Sequence, residues 1–363
     1  MSNQTSIRFN TTSRQFYTEL KKRVDSYFKE NKLSKSGNLN MYLKTAFMFG
    51  CYFGFYGLIV GHVFESKLIW LLLAALMGVS FAGIGLCVMH DANHGSYSKN
   101  QTVNRLLGIF SMNVIGGYAI NWRIQHNVLH HTYTNIHEHD EDIAPPGMLR
   151  FEPHAQLKGV HKLQFIYAWF LYGIMTLMWS TTKDFRQLKR YNDLGLLKGV
   201  NAEFRKEVFF LIFSKLFYYA YMLLPLFLIP EMTVLNWICG FLIMHYMAGL
   251  VLALIFQPAH VVEETEFPLP DENGNLENHW AVHQLHTTMN FATRDPIFTW
   301  LVGGLNFQVE HHLFPTICHV HYPQISKIVE STAREFNLPY KKQSTFVSAL
   351  WSHQCMLWRL GRA

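Results

Sequence analysis

The stretch Leu68-Ile-Trp-Leu-Leu-Leu-Ala-Ala-Leu-Met-Gly-Val-Ser-Phe-Ala-Gly-Ile-Gly-Leu-Cys-Val-Met89 runs straight into His90-Asp-Ala-Asn-His94. The first part carries no charge and is long enough to cross the hydrocarbon core of a bilayer, which takes about 20 helical residues. The second part sets two imidazoles four residues apart, on one face of a helix that continues past the apolar run. A membrane span that ends in paired nitrogen ligands is the reading from which the rest follows.

Three more stretches approach span length, at about 43–64, 208–230 and 234–256. The turns Glu65-Ser-Lys67 and Pro230-Glu-Met-Thr233 are so short that the spans pair off as two helical hairpins. The pattern predicts an all-α membrane protein: four transmembrane helices and a helical cap outside the bilayer. Its parts are an N-terminal segment 1–42, a hairpin 43–89, a segment 90–207, a second hairpin 208–256 and a C-terminal segment 257–363. Nine Lys/Arg lie in the first 44 residues and ten in 150–207, against only Lys67 in the two turns. By the positive-inside rule, both termini and the central segment are expected in the cytoplasm. The first 40 residues lack the charged, apolar, small-residue order of a cleaved signal peptide.

Composition agrees: the chain is 50% hydrophobic and 15% charged, where soluble domains carry about 25% charged residues. The cysteines Cys51, Cys87, Cys239, Cys318 and Cys355 are scattered and describe neither a disulfide framework nor a zinc site. Two further apolar segments, 105–120 and 163–181, are expected to lie on or dip into the cytoplasmic interface. A span at 105–120 would put His126 on the opposite side from His90, and a lone span at 163–181 would displace the last histidines. Their breaks at Asn113, Gly116, Gly117, Gly173 and Thr176 suit that placement. Pro258, Pro268, Pro270 and the turn Asp271-Glu-Asn-Gly-Asn275 mark a loop after the fourth span. Residues from Pro323 to Leu338 read as an amphipathic helix.

Histidines gather at three places: His90 with His94, then His126-Asn-Val-Leu-His130-His131, then Gln308-Val-Glu-His311-His312. His260, in Gln257-Pro-Ala-His260, falls where the fourth span emerges. A lone histidine is most often a satisfied core residue, but three clusters that topology gathers on one face describe a metal site. Eight imidazoles exceed one octahedral ion and suit two. A zinc hydrolase would keep three ligands, an open position and a carboxylate base. Imidazole alone does not choose among iron, zinc and copper, but a nitrogen-rich pair of irons suits oxygen activation. Asp91, Asp140, Glu141, Asp142 and Glu310 are near enough in sequence to hold the outward ring nitrogens, or else are solvated charges. His137 and His139 have no helical spacing to the second cluster, and His319 and His321 read as structural.

These motifs resemble the histidine boxes of the membrane-bound fatty-acid desaturases, and within them the bacterial delta-6, front-end type without a fused cytochrome. The likeness is carried by His90-Asp-Ala-Asn-His94 and by His126-Asn-Val-Leu-His130-His131-Thr-Tyr-Thr-Asn135. It continues through Trp280 to Asn290-Phe-Ala, Leu305-Asn-Phe-Gln308-Val-Glu-His311-His312-Leu-Phe-Pro315 and Cys318-His-Val-His-Tyr-Pro323. It covers nearly the whole chain after the first 40 residues. The resemblance implies a diiron site in the cap, with His90, His94, His126, His130, His131, His311 and His312 as catalytic ligands and His260 as a further one. Such a pair of irons takes two electrons and two protons, splits dioxygen and removes two hydrogens from adjacent methylenes. Gln308 replaces the first histidine of the third box, the mark of the front-end group, and is expected as a weak ligand or a partner around the ligands. Asp91 and Glu310 are expected as weak ligands or partners around the ligands; the family pattern does not demand histidine at His283 or His286, which are expected around the ligands or at the surface. Placement of the new double bond between an existing one and the carboxyl end is implied by the resemblance alone.

The chain carries no His-Pro-Gly-Gly haem signature, glycine-rich dinucleotide fingerprint or iron–sulfur cysteine spacing. An external ferredoxin or cytochrome b5 is therefore implied, and Lys183-Asp-Phe-Arg-Gln-Leu-Lys189-Arg190 is the expected docking patch for an acidic donor. The same run would attract anionic lipid headgroups. The substrate implied is a long acyl chain on coenzyme A or a lipid, with O2 as oxidant and no nucleic acid. His245, in mid-span, should face the bundle interior, lining an acyl tunnel or bonding a neighbouring helix. Hydroxylation, acetylene formation or sphingolipid desaturation on the same diiron framework are the alternatives. A histidine-lined metal transporter would need polar residues strung through the spans, and these spans are almost free of them.

Overall fold

The computed structural model describes residues 7–12, 14–145 and 147–362; residues 1–6 of the expected N-terminal segment, with 13, 146 and 363, lie outside them. The described chain is helical apart from four two-residue strands. In order it forms α1 (Arg14–Glu30), α2 (Leu39–Val60), α3 (Lys67–Asn93), α4 (Gln101–Val114) and α5 (119–133), then α6 (Gly159–Tyr172), α7 (Met175–Asp193), α8 (Phe204–Leu228) and α9 (Val234–His260). Four shorter helices follow: α10 (Trp280–Thr287), α11 (Gln308–Leu313), α12 (Tyr322–Glu335) and α13 (Phe346–Leu360). Among the described residues, α2, α3, α8 and α9 are long and apolar enough to cross a membrane. The α6–α7 pair, bent by 64°, would add a fifth if counted as one span. Its break falls at Gly173, as expected.

The chain divides into two compact units. One comprises Asn38–Ile124 and Ala168–Leu254, the other Met1–Gly37, Gln125–Tyr167 and Ile255–Ala363. The first holds the long apolar helices. They approach so closely that a Cβ on Gly78 would lie 2.3 Å from Met244 O, and one on Gly249 2.6 Å from Tyr172 O. Small residues at such crossings are what let membrane helices associate by van der Waals contact. Two charged or titratable groups inside this unit, Lys215 and His245, are satisfied locally. Lys215 Nζ donates to Gly116 O at 2.7 Å and Trp179 O at 2.8 Å, and pairs with Asp184 Oδ2 at 2.5 Å. His245 meets Tyr218 Oη at 2.7 Å and Thr176 Oγ1 at 3.0 Å, so it bonds neighbouring helices.

Two helix ends differ from the sequence reading. The helix containing Leu68–Met89 continues to Asn93, but through a π-helical stretch over Ile84–Met89, and His90 N donates to Gly85 O, five residues back. The fourth helix runs through Pro258 to His260 rather than ending before it. Proline removes one amide donor, and Val261 N still closes the turn on Gln257 O at 2.9 Å.

The second unit has its own core. Phe16, Leu20, Val24 and Phe28 form a stripe four residues apart on α1, buried with Ala281 and Leu285 of α10, Leu313 of α11, and Ile325 and Val329 of α12. Parallel strand pairs β1 (Arg8–Phe9) with β2 (Asn275–Leu276), and β3 (Asn290–Phe291) with β4 (Lys342–Gln343), tie distant parts of this unit together.

Candidate metal centre

Helix α5 supplies the second histidine group, and its local geometry departs from an α-helix. Arg123–His130 is π-helical, a form closed by bonds five residues back and frequent at functional sites. In an α-helix, residues five apart point away from each other. Here the wider turn brings His126 Nε2 and His131 Nε2 to 3.3 Å. His126 also stacks on His130, with ring centroids 5.2 Å apart.

Two other elements of the same unit converge on these rings. His260, the last residue of α9, sets its ring edge-on to His130 at 4.7 Å. On α11 the adjacent His311 and His312 diverge. His311 Nε2 lies 2.9 Å from His131 Nε2, while the His312 ring lies 4.9 Å from His130 and 4.8 Å from His260. Three groups form, each with ligand atoms within 4.8 Å: His130, His260 and His312; His131, His311 and His312; and His126, His130 and Asp142. All six histidines are buried, none more than 6% exposed.

The outward ring nitrogens are held. His130 Nδ1 donates to Asp140 Oδ2 at 3.0 Å, and Asp140 is fixed by Asn135 N and Asp142 N, each at 2.9 Å. His312 Nδ1 donates to Gln284 Oε1 at 2.8 Å, and His260 Nδ1 to Thr287 O at 3.3 Å. His311 Nδ1 is 3.2 Å from Tyr322 Oη. Burial works against charge on His130, but Asp140 and Asp142 outweigh it and raise its proton affinity. A proton kept on Nδ1 leaves the Nε2 lone pair for a ligand. Nε2 of both His130 and His260 is buried with no hydrogen-bond partner, an arrangement buried polar atoms seldom adopt without an ion or water to explain it. The 2.9 and 3.3 Å nitrogen separations around His131 match ligands at right angles about an ion bonded at about 2.1 Å. The donor set fits metal.

His90 and His94 lie in the other unit. Their rings are 4.7 Å apart, both edge-on to Trp122, and His90 Nδ1 is 3.9 Å from Asp91 Oδ1. Gln308 Nε2 donates to Leu305 O at 2.8 Å, while its Oε1 is buried without a partner. Glu310 turns to Asn290 Nδ2 at 2.8 Å and Tyr340 Oη at 2.9 Å rather than to a histidine; burial pushes its carboxyl up to about 7 against those two donors. His283 Nε2 donates to Thr134 O at 2.7 Å, and partly exposed His286 bonds Glu266 at 2.8 Å. Asp142 lies 3.8 Å from His126 Nδ1, and Glu141 opens the turn behind Asp140. His137 bonds Glu152 at 2.7 Å, His139 bonds His137 O at 3.0 Å and His321 bonds Ser36 O at 3.2 Å. Sequence reasoning missed the supports that make the site rigid. Trp280 Nε1 donates to His131 O at 2.9 Å, Thr134 Oγ1 to Gln284 Oε1 at 2.9 Å, and Asn135 Nδ2 to His260 O at 2.9 Å.

A buried, histidine-rich centre whose donor set fits a metal ion, in a chain with four helices long and apolar enough to cross a membrane, is compatible with a metal-dependent membrane enzyme. The family model for fatty acid desaturases matches residues 65–344, and the chain belongs to that family: it is an oxidoreductase, a fatty acyl desaturase. It is 37% identical to an sn-1 linoleoyl-lipid 6-desaturase of Synechocystis sp., with 98% of each chain covered. It is 35% identical to the protein of that name from Arthrospira platensis, covering 92% of this chain and 89% of that one. An acyl-lipid (8-3)-desaturase of Physcomitrium patens is 37% identical over 95% of this chain and 72% of its own.

Proposed function

We propose that the chain desaturates an acyl lipid at the front end, placing a double bond between an existing one and the carboxyl group, with two irons held by its histidine boxes. The observation that carries the metal assignment is the pair of buried, unpartnered nitrogens, His130 Nε2 and His260 Nε2. The relatives' names carry the regiochemistry. His126, His130, His131, His260, His311 and His312 hold the metals, and the family pattern adds His90 and His94. Gln308 stands beside them as a weak ligand or hydrogen-bonding partner. When bound, the irons supply the reduction of dioxygen to water, coupled to removal of two hydrogens from adjacent methylenes.

The chain's own residues set the conditions for that chemistry. Asp140, Gln284 and the Thr287 carbonyl keep a proton on the outer nitrogens of His130, His312 and His260. Burial of all six rings excludes bulk water, which strengthens every charge interaction at the centre. The spans act as two hairpins, α2 with α3 and α8 with α9, with both termini and the site on the cytoplasmic side. Electrons come from an external ferredoxin or cytochrome b5 that docks on the basic run Lys183–Arg190.

The deciding experiment is expression in a host of known lipid profile, with double bonds located by mass spectrometry. A new bond on the carboxyl side of an existing one is expected, and His130→Ala should lose both product and iron while still inserting. A new bond in a saturated chain would overturn the regiochemistry; a hydroxylated product would overturn the reaction.

A further inference from the structure

At one end of the span unit lies a cavity of about 280 Å³, lined by Trp70 and Ala74 of α3, Met222 of α8, and Trp237, Gly240 and Met244 of α9. It is remote from His90 and His94 of its own unit. Ala74 precedes His90 by sixteen residues on the same helix, about 24 Å at 1.5 Å per residue. The walls are apolar because both indoles turn their N–H groups away: Trp70 Nε1 donates to Phe64 O at 2.5 Å, and Trp237 Nε1 to Met222 O at 2.7 Å. Two polar groups break the pattern. Lys67 borders the cavity, is exposed, and has no ion-pair partner among the described residues. Asn236 Nδ2 is buried at the wall with no acceptor, which costs free energy until an oxygen reaches it.

We propose that this cavity holds one hydrocarbon chain of a glycerophospholipid from the bilayer leaflet at the Lys67 end of α3, the end opposite His90 and His94. Its phosphate lies on Lys67, and an ester carbonyl accepts from Asn236 Nδ2. The reading rests on the spans crossing a bilayer, as argued above. An apolar cavity of this kind does not hold water, and at this depth the surrounding solvent is lipid. The polar features are one unpaired cation and one unpaired donor, which match a phosphate and an ester carbonyl at the head of a chain. The site is separate from substrate turnover, since the reacting carbons must reach histidines at the far end of α3.

The test is native mass spectrometry of the full-length protein, stripped of lipid in detergent and titrated with phosphatidylglycerol or with a phosphate-free galactosyl diacylglycerol of the same chains. One retained phosphatidylglycerol per chain is expected, several-fold favoured over the galactolipid. Lys67→Glu lies on the exposed surface and should abolish the preference. Gly240→Phe should remove the retained lipid, because a Cβ there already lies 3.7 Å from Ala74 Cβ and the ring would fill the space. Desaturation by the same preparations should be unchanged in both variants, so loss of the lipid site and loss of the desaturase reading are told apart. Failure of the unaltered protein to retain lipid would overturn the proposal, as would equal retention of both lipids. A dimer that dissociates on Gly240→Phe would assign the cavity to a second copy instead.

Discussion

Asn135 steadies two buried histidines proposed as ligands at once. Its backbone N–H donates to Asp140 Oδ2, the carboxylate that orients His130, and its Nδ2 donates to His260 O. Its φ of +59° lies in the left-handed region, which asparagine tolerates better than most residues. Asn135→Gly keeps the backbone and deletes only the side chain, so iron content should fall about 10-fold or more. Metal analysis of purified protein at matched yield checks this, and unchanged occupancy would make Asn135 merely structural. At the third box, Gln308→His should keep iron but change rate or selectivity; if iron and turnover both stay put, Gln308 is outside the site. His353 gives a pH dependence at a group outside the proposed ligand set. Its Nδ1 donates to Val261 O at 2.7 Å, and burial pushes its pKa down to about 4, with the Val261 bond opposing. Between the unfolded value of about 6.5 and 4, the unfolded chain binds the extra proton, so this contribution is full above pH 6.5 and is lost as pH falls. The loss reaches about 3 kcal/mol. His353→Gln should flatten the acid limb of a thermal unfolding series; an unchanged slope would refute the assignment. The histidines proposed as ligands are legible in the sequence because imidazoles stand out against an apolar background. Asn135 and Gln284 are not, since their partners lie some 125 and 28 residues away and no local pattern announces them.

At the scale of elements, the π-helical turn of Arg123–His130 does what a regular helix would not. Deleting Asn127 should restore α-helical pitch and rotate His130 and His131 away from His126. Iron binding should be lost while far-ultraviolet circular dichroism stays the same; retained iron would show the turn to be dispensable. Gly78→Leu tests the span crossing. Overpacking against Met244 should cost roughly 1–3 kcal/mol, read as a lower unfolding temperature in detergent. Apolar runs placed all four long helices to within a few residues, because lipid-facing segments need continuous hydrophobicity rather than specific contacts. The stripe Phe16, Leu20, Val24 and Phe28 on α1 went unread, since the lysines and glutamates between them dominate the local composition. Two-residue strands carry no period to detect. The four-residue spacing in the second box suggested an α-helical face, and the structure replaces it with a π-turn that unites residues five apart.

At the scale of the molecule, orientation is the open quantity that one labelling experiment fixes. With Cys239, an exposed thiol, replaced by Ser, Glu65→Cys should react with a membrane-impermeant reagent in intact cells. Lys327→Cys should react only after permeabilisation. The reverse pattern would invert the topology proposed above.

The unit that gathers six of the histidines is assembled from three pieces of chain, Met1–Gly37, Gln125–Tyr167 and Ile255–Ala363, and β1 near the start pairs with β2 at Asn275–Leu276. His131 is therefore synthesised 181 residues before His312, roughly ten seconds or more at ribosomal speed. Throughout that interval the early imidazoles await partners not yet made, and Arg8–Phe9 waits until Asn275–Leu276 has been made. With the proposed ligand set, metal loading is a late event of biogenesis, completed only after residue 312 has been made.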